Sequence, residues 1–129
     1  MSISYYPKIC NLCGGKVIYT KKKNITRNET EHIYFCTACH AYVGATKDKY
    51  RRARGILANK PMRRLRRKCH EVFDNMWEIP SERRILYDKL AEQLGVTPED
   101  CHFAYFDMET LQKAYDIIVS WRSEPNVFR

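Results

Sequence analysis

The sequence predicts an α+β fold, an N-terminal ribbon of short antiparallel strands followed by a small bundle of three helices. Three observations predict it. Two cysteine pairs, Cys10-Asn11-Leu12-Cys13 and Cys36-Thr37-Ala38-Cys39, stand 22 residues apart, enough for a strand, a loop and a return strand. The runs leaving and joining those pairs are rich in β-branched and aromatic residues. Beyond residue 61 the apolar residues recur instead at intervals of three and four, the period of an amphipathic helix.

The cysteine pairs set the chemistry of the N-terminal part. A Cys-x-x-Cys turn aims two thiolates at one ion, and two such turns supply the four soft donors of a tetrahedral Zn²⁺ site. Cys10, Cys13, Cys36 and Cys39 are therefore the expected ligands of one structural zinc. Four protein ligands close the coordination sphere and leave no open position for a substrate water. Gly14 follows the first pair, where the turn needs a residue free of Cβ strain. His40 follows Cys39 and is an alternative ligand that four well-spaced cysteines make unnecessary. Disulfides are the other reading of such cysteines, and nothing in the sequence points to a secretory setting.

Taken in order, Lys16–Thr20 reads as the first strand and Lys21-Lys22-Lys23-Asn24 as a loop, with Asn28 near its far end. His32–Phe35 is the return strand that delivers Cys36, and Ala41–Gly44 is a short third strand. Residues 1–46 make the ribbon. Residues 47–60 are basic and aperiodic, with Gly55 and Asn59 as breakers, and read as a connector from ribbon to helices. Residues 61–129 make the bundle, expected to pack with the ribbon as one compact unit.

Pro61 suits the first turn of a helix. Met62, Leu65, Cys69, Val72 and Met76 form its apolar stripe, widened by Phe73 and Trp77, with Ile79-Pro80 as the stop. Ser81 is the expected N-cap of a second helix carrying Leu86, Leu90 and Leu94, with Gly95 just past its end. Thr97-Pro98-Glu99-Asp100 starts a short helical segment. Asp107 caps the last helix, whose buried face is Leu111, Ala114, Tyr115, Ile118 and Trp121. The tail from Ser123 to Arg129 is expected to fray.

Charge is unevenly placed. The chain of 129 residues carries a formal net charge of +8. Residues 1–46 hold six Lys/Arg against two acids, residues 47–68 eleven against Asp48 alone, and residues 69–129 six against twelve. The positive charge is thus a local feature of residues 47–68, where seven arginines outnumber four lysines. Arginine's planar fork suits phosphate oxygens, and like charges at this density repel one another in a folded chain. Residues Met1–Pro7 lack a signal-peptide profile, and no apolar run is long enough to cross a bilayer. A cytoplasmic protein with reduced Cys69 and Cys101 is expected, with no membrane partner and no evident small-molecule substrate.

Across residues 8–110 the chain resembles a small zinc-finger-containing domain family found mostly in phages and prophages, largely of unknown function. The matching residues are Cys10-x-x-Cys13-Gly14, Cys36-x-x-Cys39-His40-Ala41-Tyr42-Val43-Gly44 and Gly55-x-Leu57-Ala58-Asn59. They continue with Leu65-Arg66, His70-x-x-Phe73-Asp74-x-x-Trp77 and Tyr87-x-x-Leu90-Ala91-x-x-Leu94-Gly95, and Cys101-His102 stands near the place where the family has a similar His. The chain departs from the pattern with Ala53-Arg54 before Gly55 and Phe103-Ala104 after His102. The resemblance implies zinc binding by the four cysteines and little about activity.

Two constellations carry the functional expectations. Lys47, Lys49, Arg51, Arg52, Arg54, Lys60, Arg63, Arg64, Arg66, Arg67 and Lys68 are candidate phosphate contacts for DNA or RNA, with Lys21–Lys23 extending the track. Helical spacing is read as turning Arg66 away from the core. Tyr42 and Tyr50 could stack on unpaired bases. His70, Asp74 and His102 are a candidate divalent-metal or acid–base site, with a structural hydrogen bond as the ordinary explanation. The expected function is a zinc-ribbon nucleic-acid-binding accessory or regulatory protein of phage or prophage origin. The alternatives are a module that binds a host or phage protein complex, and a metal-dependent nuclease. No residue is assigned a catalytic role, and a non-enzyme is the expectation.

Overall fold

The computed structural model describes residues 4–124 and 128. The chain divides into two compact units, Met1–Pro61 and Met62–Arg129. The architecture is α+β, with three antiparallel strands in the first unit and three α-helices after them.

In the first unit β1 (Val17–Asn24), β2 (Glu29–Cys36) and β3 (Tyr42–Gly44) form one antiparallel sheet in the order β1-β2-β3. Val17 pairs with Cys36, Tyr19 with Tyr34, and Tyr34 in turn with Val43. β1 is longer than the sequence suggests, because Lys21–Asn24 continue the strand rather than forming a loop. Lysine is a poor strand former. On this edge strand, however, Lys21, Lys22 and Lys23 are exposed, and lysines there hinder pairing with another chain. The turn is confined to Ile25–Asn28, and Asn28 takes the left-handed conformation (φ 52°) that asparagine tolerates.

The core of this unit is Cys10, Val17, Tyr34, Cys36, Ala41, Val43, Ala45, Ala53 and Leu57. Ala53 and Leu57 come from the stretch read as a connector. It contains no helix before Lys60, but isolated bridges join Ala45 to Ala53 and Tyr42 to Ala58. The Asn11 side chain clamps it as well, donating to the Leu57 carbonyl at 3.0 Å and accepting from the Leu57 N–H at 2.9 Å.

In the second unit α1 spans Lys60–Asp74, with Lys60 and Pro61 contributed by the first. Met62, Leu65, Cys69, Val72 and Phe73 are buried along it. The helix stops at Asp74, earlier than its apolar period suggests. Met76 and Trp77 lie in the turn beyond, half-buried, and Trp77 Nε1 donates to Asp74 Oδ1 at 3.1 Å. α2 (Pro80–Leu94) begins one step before the expected cap. Pro80 occupies the first helical position and holds Ile79 extended (φ −118°, ψ 153°), so Ile79 rather than Ser81 is the N-cap. The Glu82 carboxylate accepts the N–H groups of Glu78 and Ile79, at 2.9 and 3.3 Å.

Gly95 ends α2 as expected, in the left-handed region (φ 74°). The N–H groups of Gly95 and Val96 donate to the carbonyls of Glu92 and Ala91, the Schellman pattern. Short 3₁₀ turns at Pro98–Asp100 and Phe103–Tyr105 lead to α3 (Met108–Ser120), capped by Asp107 Oδ1 accepting from Thr110 N at 2.8 Å. Phe73, Leu86, Leu90, Phe103, Phe106, Leu111, Ile118 and Trp121 fill this unit's interior. Phe103 meets Phe73 and Phe106 edge to face. The expected fraying of 125–127 and 129 lies outside the described residues.

Candidate metal centre and basic surface

The two cysteine turns are built alike. In the first, Cys10 N donates to Gly15 O at 2.8 Å and Gly14 N to Cys10 O at 2.9 Å. In the second, Cys36 N donates to Ala41 O at 2.8 Å and His40 N to Cys36 O at 3.0 Å. Gly14 and His40 hold equivalent left-handed positions, with φ 76° and 68°. Backbone N–H groups point at the sulfurs: Leu12 N lies 3.3 Å from Cys10 Sγ, Gly15 N 3.3 Å from Cys13 Sγ, and Cys39 N 3.4 Å from Cys36 Sγ.

Cys10, Cys13, Cys36 and Cys39 place their sulfurs within 4.8 Å of one another. Cys10 and Cys39 are 3.7 Å apart, Cys13 and Cys36 3.5 Å. Zn–S bonds of about 2.3 Å imply tetrahedral edges of about 3.8 Å, so the cage fits one Zn²⁺ with all four positions filled by the protein. None of the four is in a disulfide. Without an ion, the Cys36 thiol is lowered to about 6, chiefly because the Cys39 N–H donates to it, with Ala38 N–H and neighbouring thiols adding to the effect. Cys39 moves the other way. The Ala41 N–H favours its thiolate, but desolvation and the neighbouring thiols together push it to about 12. Thiolates gathered this closely repel one another, a cost that a bound cation offsets.

Gly15 is a residue that the sequence reading missed. A Cβ there would stand 2.7 Å from Ala38 Cβ and 2.9 Å from Cys36 Sγ. His40, the alternative ligand, instead stacks on Phe35 with centroids 5.4 Å apart and an interplanar angle of 11°.

The basic stretch is more ordered than its composition suggests. Thr46–Arg52 is a closed loop in which Thr46 N donates to Arg52 O and Arg52 N to Thr46 Oγ1. Asp48 Oδ1 is the hub, accepting from Thr46 Oγ1 at 2.9 Å, Tyr50 N at 3.0 Å and Arg51 N at 3.2 Å. The Thr46 hydroxyl, the backbone donors and the nearby Arg52 hold its carboxyl below the usual carboxylate range. Lys47, Lys49, Arg51 and Arg52 consequently project from a braced loop, all exposed. Tyr34 Oη donates to the Arg51 carbonyl at 2.7 Å, tying the loop to β2. Arg51, Arg54 and Lys47 also line a cavity of about 480 Å³ together with Arg27, Glu29 and Glu31.

On α1, Lys60, Arg64, Arg67 and Lys68 are exposed and Arg63 is half-buried. Arg66 does not turn away from the core, against the expectation from helical spacing. It lies four residues after Met62 and three before Cys69, on the buried side. Its Nη2 donates to the Ala104 carbonyl at 2.8 Å, and burial, with Arg63 nearby, lowers it to about 10.

His70, Asp74 and His102 are not gathered into a metal site. Among the described residues the four cysteines are the only cluster of three or more His, Cys, Asp or Glu able to hold an ion. His70 sits edge-on to Phe103, His102 faces Tyr105 and Tyr87, and Asp74 receives Trp77. Cys69 and Cys101 are buried free thiols, each pushed up to about 12 by desolvation. Among the described residues no helix is long and apolar enough to cross a membrane.

A family model described as a zinc-finger-containing domain matches residues 6–121. No curated protein and no solved structure matches the chain.

Proposed function

On the premise that the chain belongs to this zinc-finger-containing domain family, we propose that it is a zinc-ribbon nucleic-acid-binding protein with an accessory or regulatory role. The braced Thr46–Arg52 loop carries the proposal. Seven residues spend their one carboxylate, Asp48, on internal hydrogen bonds and turn four cations outward. A loop that merely needed to be soluble has no use for such bracing, whereas a phosphate-binding surface gains from cations whose backbone is already placed.

α1 supports the same reading. Its arginines crowd the N-terminal half while Glu71 and Asp74 stand at the C-terminal end, and neither end carries charges that complement the helix macrodipole. Helix stability does not account for that order. A polyanion does, because Arg63, Arg64, Arg67 and Lys68 then meet phosphates along the helix. Zn²⁺ acts as a structural staple that holds the ribbon from which the loop projects. The resemblance adds a phage or prophage setting, and reduced thiols fit a cytoplasmic one.

Fluorescence anisotropy of the zinc-loaded protein with labelled DNA and RNA across a salt series tests the proposal. If about six phosphates are neutralised, log K falls with log salt at a slope of about −5. Replacing Lys47, Lys49, Arg51 and Arg52 with Ala flattens that slope while leaving one zinc bound. Weak, salt-insensitive binding to every probe would remove the nucleic-acid reading.

A further inference from the structure

Beside the braced loop, one face of the sheet carries aromatic rings that the fold does not fully bury. Tyr19 on β1 and His32 on β2 are stacked, with centroids 5.4 Å apart and planes 13° from parallel. Tyr34 stands next to them, tilted against Tyr19 at 5.4 Å. Tyr50 and its neighbours Lys49 and Arg51 reach in from the loop, and the six residues line an open cavity of about 450 Å³. Tyr19 and Tyr50 are 45% and 51% exposed, so both rings are open to a ligand.

We propose that this cavity takes an unpaired nucleobase of a single-stranded polynucleotide, stacked on the Tyr19–His32 pair, with its flanking phosphates on Lys49 and Arg51. The inference rests on the nucleic-acid reading above and adds the form recognised and the place where it binds.

Several features converge on this occupant. A stacked tyrosine–imidazole pair offers the flat π surface on which bases of any identity rest. Desolvation and the neighbouring charges of Arg51 and Lys21 hold the His32 imidazole below its ordinary value, which favours the neutral ring. Arg51 is held in the left-handed region (φ 49°), unusual for a residue with a side chain, by Asp48 at its N–H and Tyr34 at its carbonyl. Backbone strain so placed fixes where its guanidinium departs from the loop. Lys49 and Arg52 lie over the Tyr50 ring, 5.2 and 4.9 Å from its centroid, so cation and aromatic surface interleave throughout. The same cations exclude a cationic ligand such as a methylated lysine, which aromatic cages otherwise suit. A duplex cannot offer an unstacked base without opening. Tyr42, the other ring considered for stacking, is engaged elsewhere: Lys22 Nζ lies 4.0 Å over its ring and bonds its hydroxyl.

The test uses the full zinc-loaded chain and four labelled probes: a short oligothymidylate, an oligouridylate, an abasic DNA strand of the same length, and a duplex. Both base-bearing single strands should bind roughly tenfold or more tighter than the abasic strand, as expected for a stacked base. Tyr19→Ala should erase that ratio while leaving affinity for the abasic strand, the salt slope and the bound zinc unchanged. Tyr50→Ala, at an exposed ring, should reduce the same ratio and reads the site independently should Tyr19→Ala lose zinc. Equal affinity for base-bearing and abasic strands, or a ratio that survives both substitutions, would overturn the base site and leave the phosphate-binding reading standing. Failure to bind any probe would overturn both.

Discussion

At Gly15 a Cβ would meet Cys36 Sγ at 2.9 Å and Ala38 Cβ at 2.7 Å, so alanine forces one cysteine turn away from the other. Gly15→Ala is expected to keep the secondary structure and weaken zinc about 10–100-fold, the usual cost of disturbing what positions metal ligands. Competition against a chromophoric chelator measures it, and wild-type affinity would show that the turn yields without cost. The opposite outcome is expected at His40. Its left-handed backbone costs roughly 1–2 kcal/mol in a non-glycine residue, partly returned by stacking on Phe35. His40→Gly should therefore leave both zinc stoichiometry and thermal midpoint nearly unchanged. A large loss of zinc there would make the imidazole a ligand after all. The four cysteines were legible in the sequence because their spacing states their chemistry. Gly15 was not, because its constraint comes from Ala38 and Cys36, which reach it only when the two turns face each other.

Elements were legible where one local rule decided them and illegible where two competed. Gly95 and Asp107 end and start helices through short-range backbone bonds that the sequence displays. The Lys21–Lys23 run reads as loop by propensity, yet pairing with His32, Glu31 and Thr30 keeps it in β1. Pro80 overrode Ser81 as the determinant of the α2 start, and Arg66 was misplaced because its flank of α1 also buries Met62 and Cys69. The Thr46–Arg52 loop shows the same limit, since composition marks Asp48 only as a lone acid. Its structural part gives a prediction of opposite sign to charge counting. Removing a carboxylate from a basic surface should tighten polyanion binding by Coulomb attraction, whereas Asp48→Ala releases three hydrogen bonds that hold the cations in place. Weaker anisotropy-measured binding to single strands is expected, despite the added positive charge. The Asp48 carboxyl lies below its ordinary range, so this bracing is complete above the normal carboxylate pKa and is lost as pH falls through the lowered value. Tighter binding by Asp48→Ala would show that the loop needs no brace.

For the whole chain, the two units differ in what holds them. Among the described residues the first buries four alanines, two cysteines, two valines, one isoleucine, one leucine and one tyrosine, a small apolar volume for about 60 residues. The second buries Trp121, three phenylalanines and several leucines. The uneven charge was legible along the chain, and so was a four-cysteine ribbon. The difference in core size was not, because it depends on which of the small residues after Gly44 fold back as Ala53 and Leu57 do. Metal binding should therefore contribute folding free energy mainly to the first unit. Chelation is expected to abolish the tertiary signal of the ribbon tyrosines and expose Thr46–Arg52 to proteolysis, while the helical circular dichroism survives. Acid should act in the same direction, because each thiolate released from Zn²⁺ takes up a proton and affinity falls as pH falls. Limited proteolysis followed by mass spectrometry, run with and without chelator, reads the two units separately. Loss of helix in step with zinc would instead mean that the metal supports both units, and the small core of the first would no longer explain its dependence on the ion.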